Sequence, residues 1–218
     1  MDLNNYHEVL SLAISYNATL VVVTKNQSID DIKSIYDEGQ SVFGENKVQD
    51  LIQKKSEMST DIEWHMIGTL QSNKVKLIAP WIDMIHSVDS FGLAKKIHQE
   101  AELNNRVIPV LLEIKIGLEE SKHGFIESDL VTSLYRDDWD ALQHINVCGL
   151  MGMASFTDDK TQIRNEFKKL RTAFNMLQSN YFKNSEFKEL SMGMSGDYEI
   201  ALEEGSTMIR VGSKIFKH

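Results

Sequence analysis

Short apolar segments alternate with segments of helical pattern along the whole of this chain. Eight apolar segments lie at 19–25, 41–46, 63–68, 83–89, 107–116, 145–153, 189–195 and 207–213. A helix between successive strands makes those strands parallel, because the chain must cross over before it rejoins the sheet. Eight such units, with no linker rich in Pro, Gly or Ser, predict one closed (β/α)8 barrel domain over residues 1–218. An open doubly wound sheet is the alternative architecture.

The composition is that of an ordinary globular protein, and it limits the partners. The 218 residues include 32 acidic and 23 basic side chains, for a formal net charge of −9. This charge argues against nucleic acid or an anionic membrane as the main partner. No apolar run approaches the roughly 20 residues of a membrane-spanning helix, and the N-terminus does not resemble a secretory signal. The single cysteine, Cys148, is predicted to pack in a strand, and we expect a reducing, cytoplasmic setting.

Several element boundaries and faces are visible in the sequence. Ser28 is predicted to cap the second helix, and Gly39 is predicted to end it in the left-handed conformation. The fifth strand, at 107–116, is predicted to be the longest. After the second strand, the spacing of Val48, Leu51, Ile52 and Lys55 predicts a helix that continues to about Met58.

The first apolar segment ends in a lysine, Lys25. A β-branched apolar run of this kind predicts a buried strand. We expect its last residue to lie half in apolar surroundings, where desolvation lowers the pKa of the amine and increases the fraction of free base. A free amine attacks aldehydes, so Lys25 is a candidate nucleophile. The alternative is a lysine that only marks where the strand meets water.

In a barrel of this class the functional face lies at the C-terminal ends of the strands. The residues predicted there are Lys25, Glu45, Asn46, His65, Gly68, Ser87, Asp89, Lys115, Met153, 191–195 and 210–213. Glu45 and Asn46 either anchor the loop after the second strand against a ligand or cap a helix. His65 either lines a pocket or is a hydrogen-bonded structural histidine.

The loops after the seventh and eighth strands are rich in glycine and serine. They contain Ser191, Met194 and Ser195, and then Arg210, Gly212 and Ser213. Barrel enzymes often bind phosphate between these two loops, through backbone N–H groups and hydroxyls, although two tight turns have a similar composition. A lysine nucleophile opposite a phosphate site predicts a phosphorylated aldehyde such as pyridoxal 5′-phosphate (PLP). An aldolase that forms a Schiff base without a cofactor fits the same features.

A series of motifs favours the first of these two interpretations. The motifs lie at 43–46 (Phe-Gly-Glu-Asn), 64–68 (Trp-His-Met-Ile-Gly), 86–90 (His-Ser-Val-Asp-Ser), 120–124, 149–151, 190–195 and 210–212. In this order they resemble the YggS/PROSC family of PLP homeostasis proteins, and the resemblance extends from about residue 20 to residue 216. It implies a single barrel like the N-terminal domain of bacterial alanine racemases.

The resemblance also implies roles for individual residues. Lys25 is implied to hold PLP as a Schiff base, with phosphate contacts from the 191–195 loop and from the backbone of Gly212 and Ser213. Position 213 is Ser where the family often has Thr, so the hydroxyl is kept. Arg210 is implied to lie near the pyridine nitrogen of PLP.

An arginine beside the pyridine nitrogen favours the unprotonated ring, because arginine stays charged and only donates hydrogen bonds. In the racemases that the family resembles, a second base comes from a separate C-terminal domain, and no such domain is expected in a sequence that ends at His218. We therefore expect a PLP carrier in vitamin B6 homeostasis, with apo PLP-dependent enzymes as candidate partners. A small amino-acid racemase is the alternative.

We expect a monomer. Lys74 and Lys122 are candidates for a second ligand site or for solvated charges.

Overall fold

The structure is a computed structural model that describes residues 2–117, 124–183 and 186–216. Its strands close into one parallel barrel, with each strand beside the next in sequence order and the first beside the last. The strands are β1 (Thr19–Val23), β2 (Val42–Glu45), β3 (Glu63–Met66), β4 (Met84–Val88), β5 (Ile108–Ile114), β6 (Ile145–Gly152), β7 (Glu189–Ser191) and β8 (Met208–Val211). The predicted (β/α)8 barrel is confirmed, and the open sheet is excluded.

Helices fill the connections and cover the outside of the barrel. They are α1 (Leu3–Ser15), α2 (Ile29–Asp37), α3 (Val48–Glu57), α4 (Val75–Ile78), α5 (Phe91–Leu103), α6 (Glu127–Arg136), α7 (Lys160–Asn180), α8 (Tyr198–Glu203) and α9 (Ser213–Phe216). The sequence pattern does not predict α9, because four residues are too few to show a helical period. In the described part of the chain, no helix combines the length and apolar character needed to cross a membrane.

The predicted ends of α2 are confirmed. The Ser28 hydroxyl accepts a hydrogen bond from the backbone N–H of Asp31 at 3.1 Å, and Gly39 adopts a left-handed φ of +94° beyond the helix. The helix predicted after the second strand is confirmed as α3. Its buried residues are Val48, Leu51 and Lys54, whereas Ile52 is exposed. Lys54 is buried because it finds a buried acidic partner, which helical spacing alone does not reveal.

The interior of the barrel contains polar side chains as well as apolar ones. His86 of β4 contacts Ser191 of β7, and these two strands are not neighbours in the barrel. Their side chains must therefore point inward and meet across the interior. Cys148 packs with Leu111 and Met151, which confirms its predicted packing role. Burial raises the pKa of the Cys148 thiol to about 11, which makes it unreactive at neutral pH.

The longest strand in the described part of the chain is β6, with 8 residues against 7 in β5, so the prediction for the fifth strand is wrong. The register between β5 and β6 shifts after Val110, which leaves an extra residue in β6. Gly149 follows this bulge, and a Cβ atom there would lie 1.8 Å from the carbonyl oxygen of Glu189 on β7. The close approach of β6 to β7 therefore requires glycine at this position.

We expect Gly149→Ala to lower the free energy of unfolding by about 2 kcal/mol or more, because the added methyl group must push two strand backbones apart. Gly92→Ala is the matched control. A Cβ at position 92, in the first turn of α5, would meet nothing within 4 Å. Gly92→Ala should raise the free energy of unfolding, by no more than about 1 kcal/mol. Urea unfolding of both variants checks the prediction, and equal effects would contradict it.

Candidate functional site

A pocket of about 530 Å³ lies at the C-terminal ends of the strands. Seven of the nine residues predicted for the site line it, namely Lys25, Asn46, Met194, Ser195, Arg210, Gly212 and Ser213. His65 and Ser191 do not line the pocket and are buried beneath it. The barrel therefore brings residues from the first, second, seventh and eighth units to one face.

Lys25 lies in a tight turn that follows β1. The backbone N–H of Gln27 donates to the carbonyl oxygen of Thr24 at 3.0 Å, and Asn26 has a left-handed φ of +61°, which asparagine tolerates well. This turn carries Lys25 away from the end of the strand, and its side chain is exposed. The expectation that Lys25 lies half in apolar surroundings is therefore wrong. Its amine is accessible to a ligand in the pocket.

The fully buried carboxylate of Glu45 connects the Lys25 turn to the loop after β2. One oxygen accepts from the Lys54 amine at 2.5 Å and from the Thr24 hydroxyl at 2.9 Å. The other oxygen accepts from the backbone N–H of Asn46 at 2.7 Å. Of the two alternatives left by the sequence, Glu45 anchors this loop, whereas the N-terminus of α3 has no side-chain cap.

The loops after β7 and β8 are bonded to each other. The Ser195 hydroxyl oxygen accepts from the backbone N–H groups of Gly212 at 3.2 Å and of Lys214 at 3.3 Å. Gly212 also lies close to β1, since a Cβ atom there would be 2.8 Å from the carbonyl oxygen of Val23. These contacts hold the two loops together at the edge of the pocket.

Backbone donors without acceptors are concentrated at the same edge. Within the described residues, the N–H groups of Ser195, Gly196 and Ser213 have no hydrogen-bond acceptor. They lie just before α8 and at the start of α9, where the first N–H groups of a helix have no partner within the helix. Three such donors, on residues that line one pocket, are suited to bind the oxygens of an anionic group.

Beneath the pocket, a chain of hydrogen bonds runs from Arg210 to His65. The Arg210 guanidinium donates to the Ser191 hydroxyl oxygen at 2.5 Å and to the carbonyl oxygen of Gly152 at 3.2 Å. The Ser191 hydroxyl lies 3.0 Å from His86 Nδ1, and His86 Nε2 lies 3.0 Å from His65 Nδ1. Within the described residues the Ser191 hydroxyl proton has no acceptor other than His86 Nδ1, so Ser191 accepts from Arg210 and donates to His86, and His86 donates to His65. The arginine thus fixes both histidine tautomers.

Burial determines the charges along this chain. It lowers the pKa of His65 to about 4. It also lowers the pKa of His86 well below its ordinary value, and the neighbouring His65 and Arg210 charges act in the same direction. Burial lowers the pKa of Arg210 to about 10, so this group remains charged at neutral pH. A charged arginine, supported by two neutral imidazoles, therefore faces the pocket.

Part of the pocket wall lies outside the sequence prediction. The segment after β6, of which only Met153 is predicted, lines the pocket as far as Asp158. The backbone N–H and the hydroxyl of Ser155 both donate to the buried carboxylate of Glu166, at 2.6 and 2.8 Å, and fix this segment to α7. Lys74 ends a 3₁₀ turn and does not line the pocket. Lys122 lies outside the described residues.

This barrel, with a lysine after its first strand and a donor cluster after its last two, defines the alanine racemase N-terminal-domain class. The model of that family, "Alanine racemase, N-terminal domain", matches residues 3–218. The pyridoxal phosphate homeostasis protein of Aquifex aeolicus is 38% identical over 91% of this chain and 86% of its own length. The chain therefore belongs to the family of pyridoxal phosphate homeostasis proteins.

The solved structures of PipY from Synechococcus elongatus are similar to this chain as well. The structure without PLP is 36% identical, with a TM-score of 0.86, over 92% of this chain and 93% of PipY. The structure with PLP bound is 34% identical, with a TM-score of 0.83, over 92% of each chain. The fold and the extent of this chain thus match those of a relative that binds PLP.

We expect the neutral histidines to make the protein less stable in acid. The unfolded imidazole binds a proton below its ordinary pKa of 6.5, whereas folded His65 does so only near 4. Between these values the unfolded chain holds more protons, so the free energy of unfolding falls as the pH falls. His65→Asn keeps an acceptor for His86 and should reduce this loss. Urea unfolding between about pH 7 and pH 4 measures this loss of stability. The same pH dependence in His65→Asn as in the wild-type protein would contradict the prediction. His7→Asn, at an exposed position, is the control.

Proposed function

We propose that this chain binds PLP, holds it as a Schiff base on Lys25, and acts in intracellular PLP homeostasis. The observation that carries the proposal is the convergence of three groups on one pocket: the Lys25 amine, the backbone donors of the two C-terminal loops and the Arg210 guanidinium. PLP has one group to match each of them, namely an aldehyde, a phosphate and a pyridine nitrogen. The names of the Aquifex relative and of the PLP-bound PipY structure support the same assignment.

The phosphate group of PLP fits the edge formed by the loops after β7 and β8. The N–H groups of Ser195, Gly196 and Ser213 supply donors, and the serine hydroxyls can supply more. The pocket volume of about 530 Å³ lies within the range of roughly 300–1,000 Å³ that small-molecule sites have. Asn46 and Met194 contribute to the pocket wall and help to position the ring.

The pyridine nitrogen is assigned to Arg210, which is positioned from below by Ser191, His86 and His65. PLP stabilises carbanions best when its ring nitrogen carries a proton. An arginine that stays charged donates to this nitrogen and favours the unprotonated ring. This arrangement holds the cofactor firmly while limiting its use as an electron sink. The site is therefore better suited to bind PLP than to transform an amino acid on it.

The cellular role that follows is storage and delivery of a reactive aldehyde. We propose that the protein acts as a monomer in the cytoplasm and passes PLP to apo PLP-dependent enzymes. A single buried cysteine supports a reducing compartment. The exposure of Lys25 supports a bond that forms and reverses readily, because water and acceptor amines can reach it.

We expect the purified protein with PLP to absorb near the visible edge, and we expect borohydride to fix PLP onto Lys25. Lys25→Ala removes the only amine assigned to the aldehyde, so both signals should disappear. Lys33→Ala, at an exposed lysine on α2, is the matched control and should keep both. Absorbance spectra and peptide mass spectrometry provide the measurements. A visible band that persists in Lys25→Ala would refute the role assigned to this lysine.

A small amino-acid racemase is the second candidate, favoured by the match to the alanine racemase N-terminal domain. A racemase exchanges the α-hydrogen of its substrate with solvent. We expect no protein-dependent exchange in D₂O with a panel of amino acids, because Arg210 weakens the electron sink. NMR measures this exchange. A protein-dependent exchange rate of order 1 s⁻¹ would favour the racemase. PLP bound to the purified protein would exclude the cofactor-free aldolase.

A further inference from the structure

A buried ion pair lies directly behind the Lys25 turn. Lys54 and Glu45 are 6% and 0% exposed, and their charged atoms are 2.5 Å apart. Burial of two charges is costly, and such a pair often contributes little net stability compared with apolar residues of the same size. Stability alone therefore does not explain why the Glu45–Lys54 pair is buried here. The hydrogen-bond partners of the pair indicate a second role.

Every further hydrogen bond of this pair goes to the backbone or side chain of a residue beside the pocket. The Lys54 amine donates to the carbonyl oxygen of Thr24 at 2.7 Å. This carbonyl belongs to the peptide group that joins Thr24 to Lys25, and it also accepts from Gln27 and so closes the turn. Glu45 in turn accepts from the Thr24 hydroxyl and from the backbone N–H of Asn46.

The pair thus fixes the peptide plane from which the Lys25 side chain begins. Lys25 itself is exposed, and the next residue, Asn26, adopts the left-handed conformation within the turn. An exposed side chain in such a turn is held in place mainly through its backbone. The only buried cation that contacts this turn within the described residues is Lys54.

We propose that Glu45 and Lys54 are positioning residues that hold the Lys25 amine in reach of the PLP aldehyde. The inference rests on the proposed function. In the step concerned, the neutral amine nitrogen bonds to the aldehyde carbon, the two protons that the nitrogen loses pass to the carbonyl oxygen, the oxygen leaves as water, and a C=N bond remains. Loss of the pair should weaken this step, while the phosphate contacts of the loops after β7 and β8 and the contact of Arg210 with the ring nitrogen stay intact.

Two ligands separate these effects. PLP reports on binding together with Schiff-base formation, and pyridoxamine 5′-phosphate, which has an amine in place of the aldehyde, reports on binding alone. For Lys54→Met we expect the apparent affinity for PLP, and the yield of borohydride-trapped Lys25, to fall by at least about tenfold, because small displacements of a reacting group are costly. The affinity for pyridoxamine 5′-phosphate should stay within about twofold of wild type. A parallel loss of both affinities would overturn the proposal in favour of a merely structural role.

A matched control and a milder variant complete the design. Lys96→Met breaks the partly buried pair of Lys96 with Glu100 on α5, away from the pocket, and should leave both affinities unchanged. Thr24→Val removes the hydroxyl that donates to Glu45 at 2.9 Å and also lies 3.2 Å from the carbonyl oxygen of Gly44. It should lower the PLP affinity as Lys54→Met does, and Thr24→Ser should restore it. A folded Thr24→Val protein with wild-type affinity for PLP overturns the proposal, whether or not Lys54→Met folds. Absence of the Lys25 adduct from the wild-type protein would instead overturn the proposed function.

Discussion

The pairing of β1 with β8 is the contact on which the candidate site depends. Its register places Val21 beside Arg210 and Val22 beside Val211, so the two strands end together. Residues from opposite ends of the sequence, Lys25 and Gly212, thereby come to the same edge of the barrel. Gly212 allows this closure, because its backbone lies against the carbonyl oxygen of Val23. Without closure of the barrel, the amine and the donor cluster would not share a pocket.

Burial of Arg210 in the barrel is the second constraint, because a buried charge needs partners. The Ser191 hydroxyl and the Gly152 carbonyl accept its hydrogen bonds, and the nearby carboxylates of Asp197 and Glu113 raise its pKa against the effect of burial. His86 and His65 remain neutral mainly because they are buried, and for His86 the nearby guanidinium lowers the pKa further. The polar interior thus holds the Arg210 guanidinium at the wall of the pocket.

The alternation of apolar and helical segments was sufficient to predict the barrel, because each strand buried on both faces leaves an apolar run in the sequence. The exposure of Lys25 and the burial of Lys54 could not be predicted in this way. A lysine at helical spacing from Leu51 is usually solvated, and only the fold brings Glu45 to it. The pocket wall after β6 depends similarly on Glu166, a buried acid on α7 whose contact with Ser155 no local pattern indicates.

Under the proposed function, Lys25 and Lys54 have complementary roles in a reversible covalent site. An amine that captures an aldehyde and later releases it must be accessible to water and to the next acceptor, and the exposed side chain of Lys25 meets this requirement. Exposure alone leaves a long side chain free to adopt many rotamers, which lowers the fraction that is able to react. The buried amine of Lys54 contributes the missing order by fixing the backbone beneath Lys25. Under the proposed function, such a division allows tight capture without the enclosed, desolvated amine that a catalytic lysine commonly has.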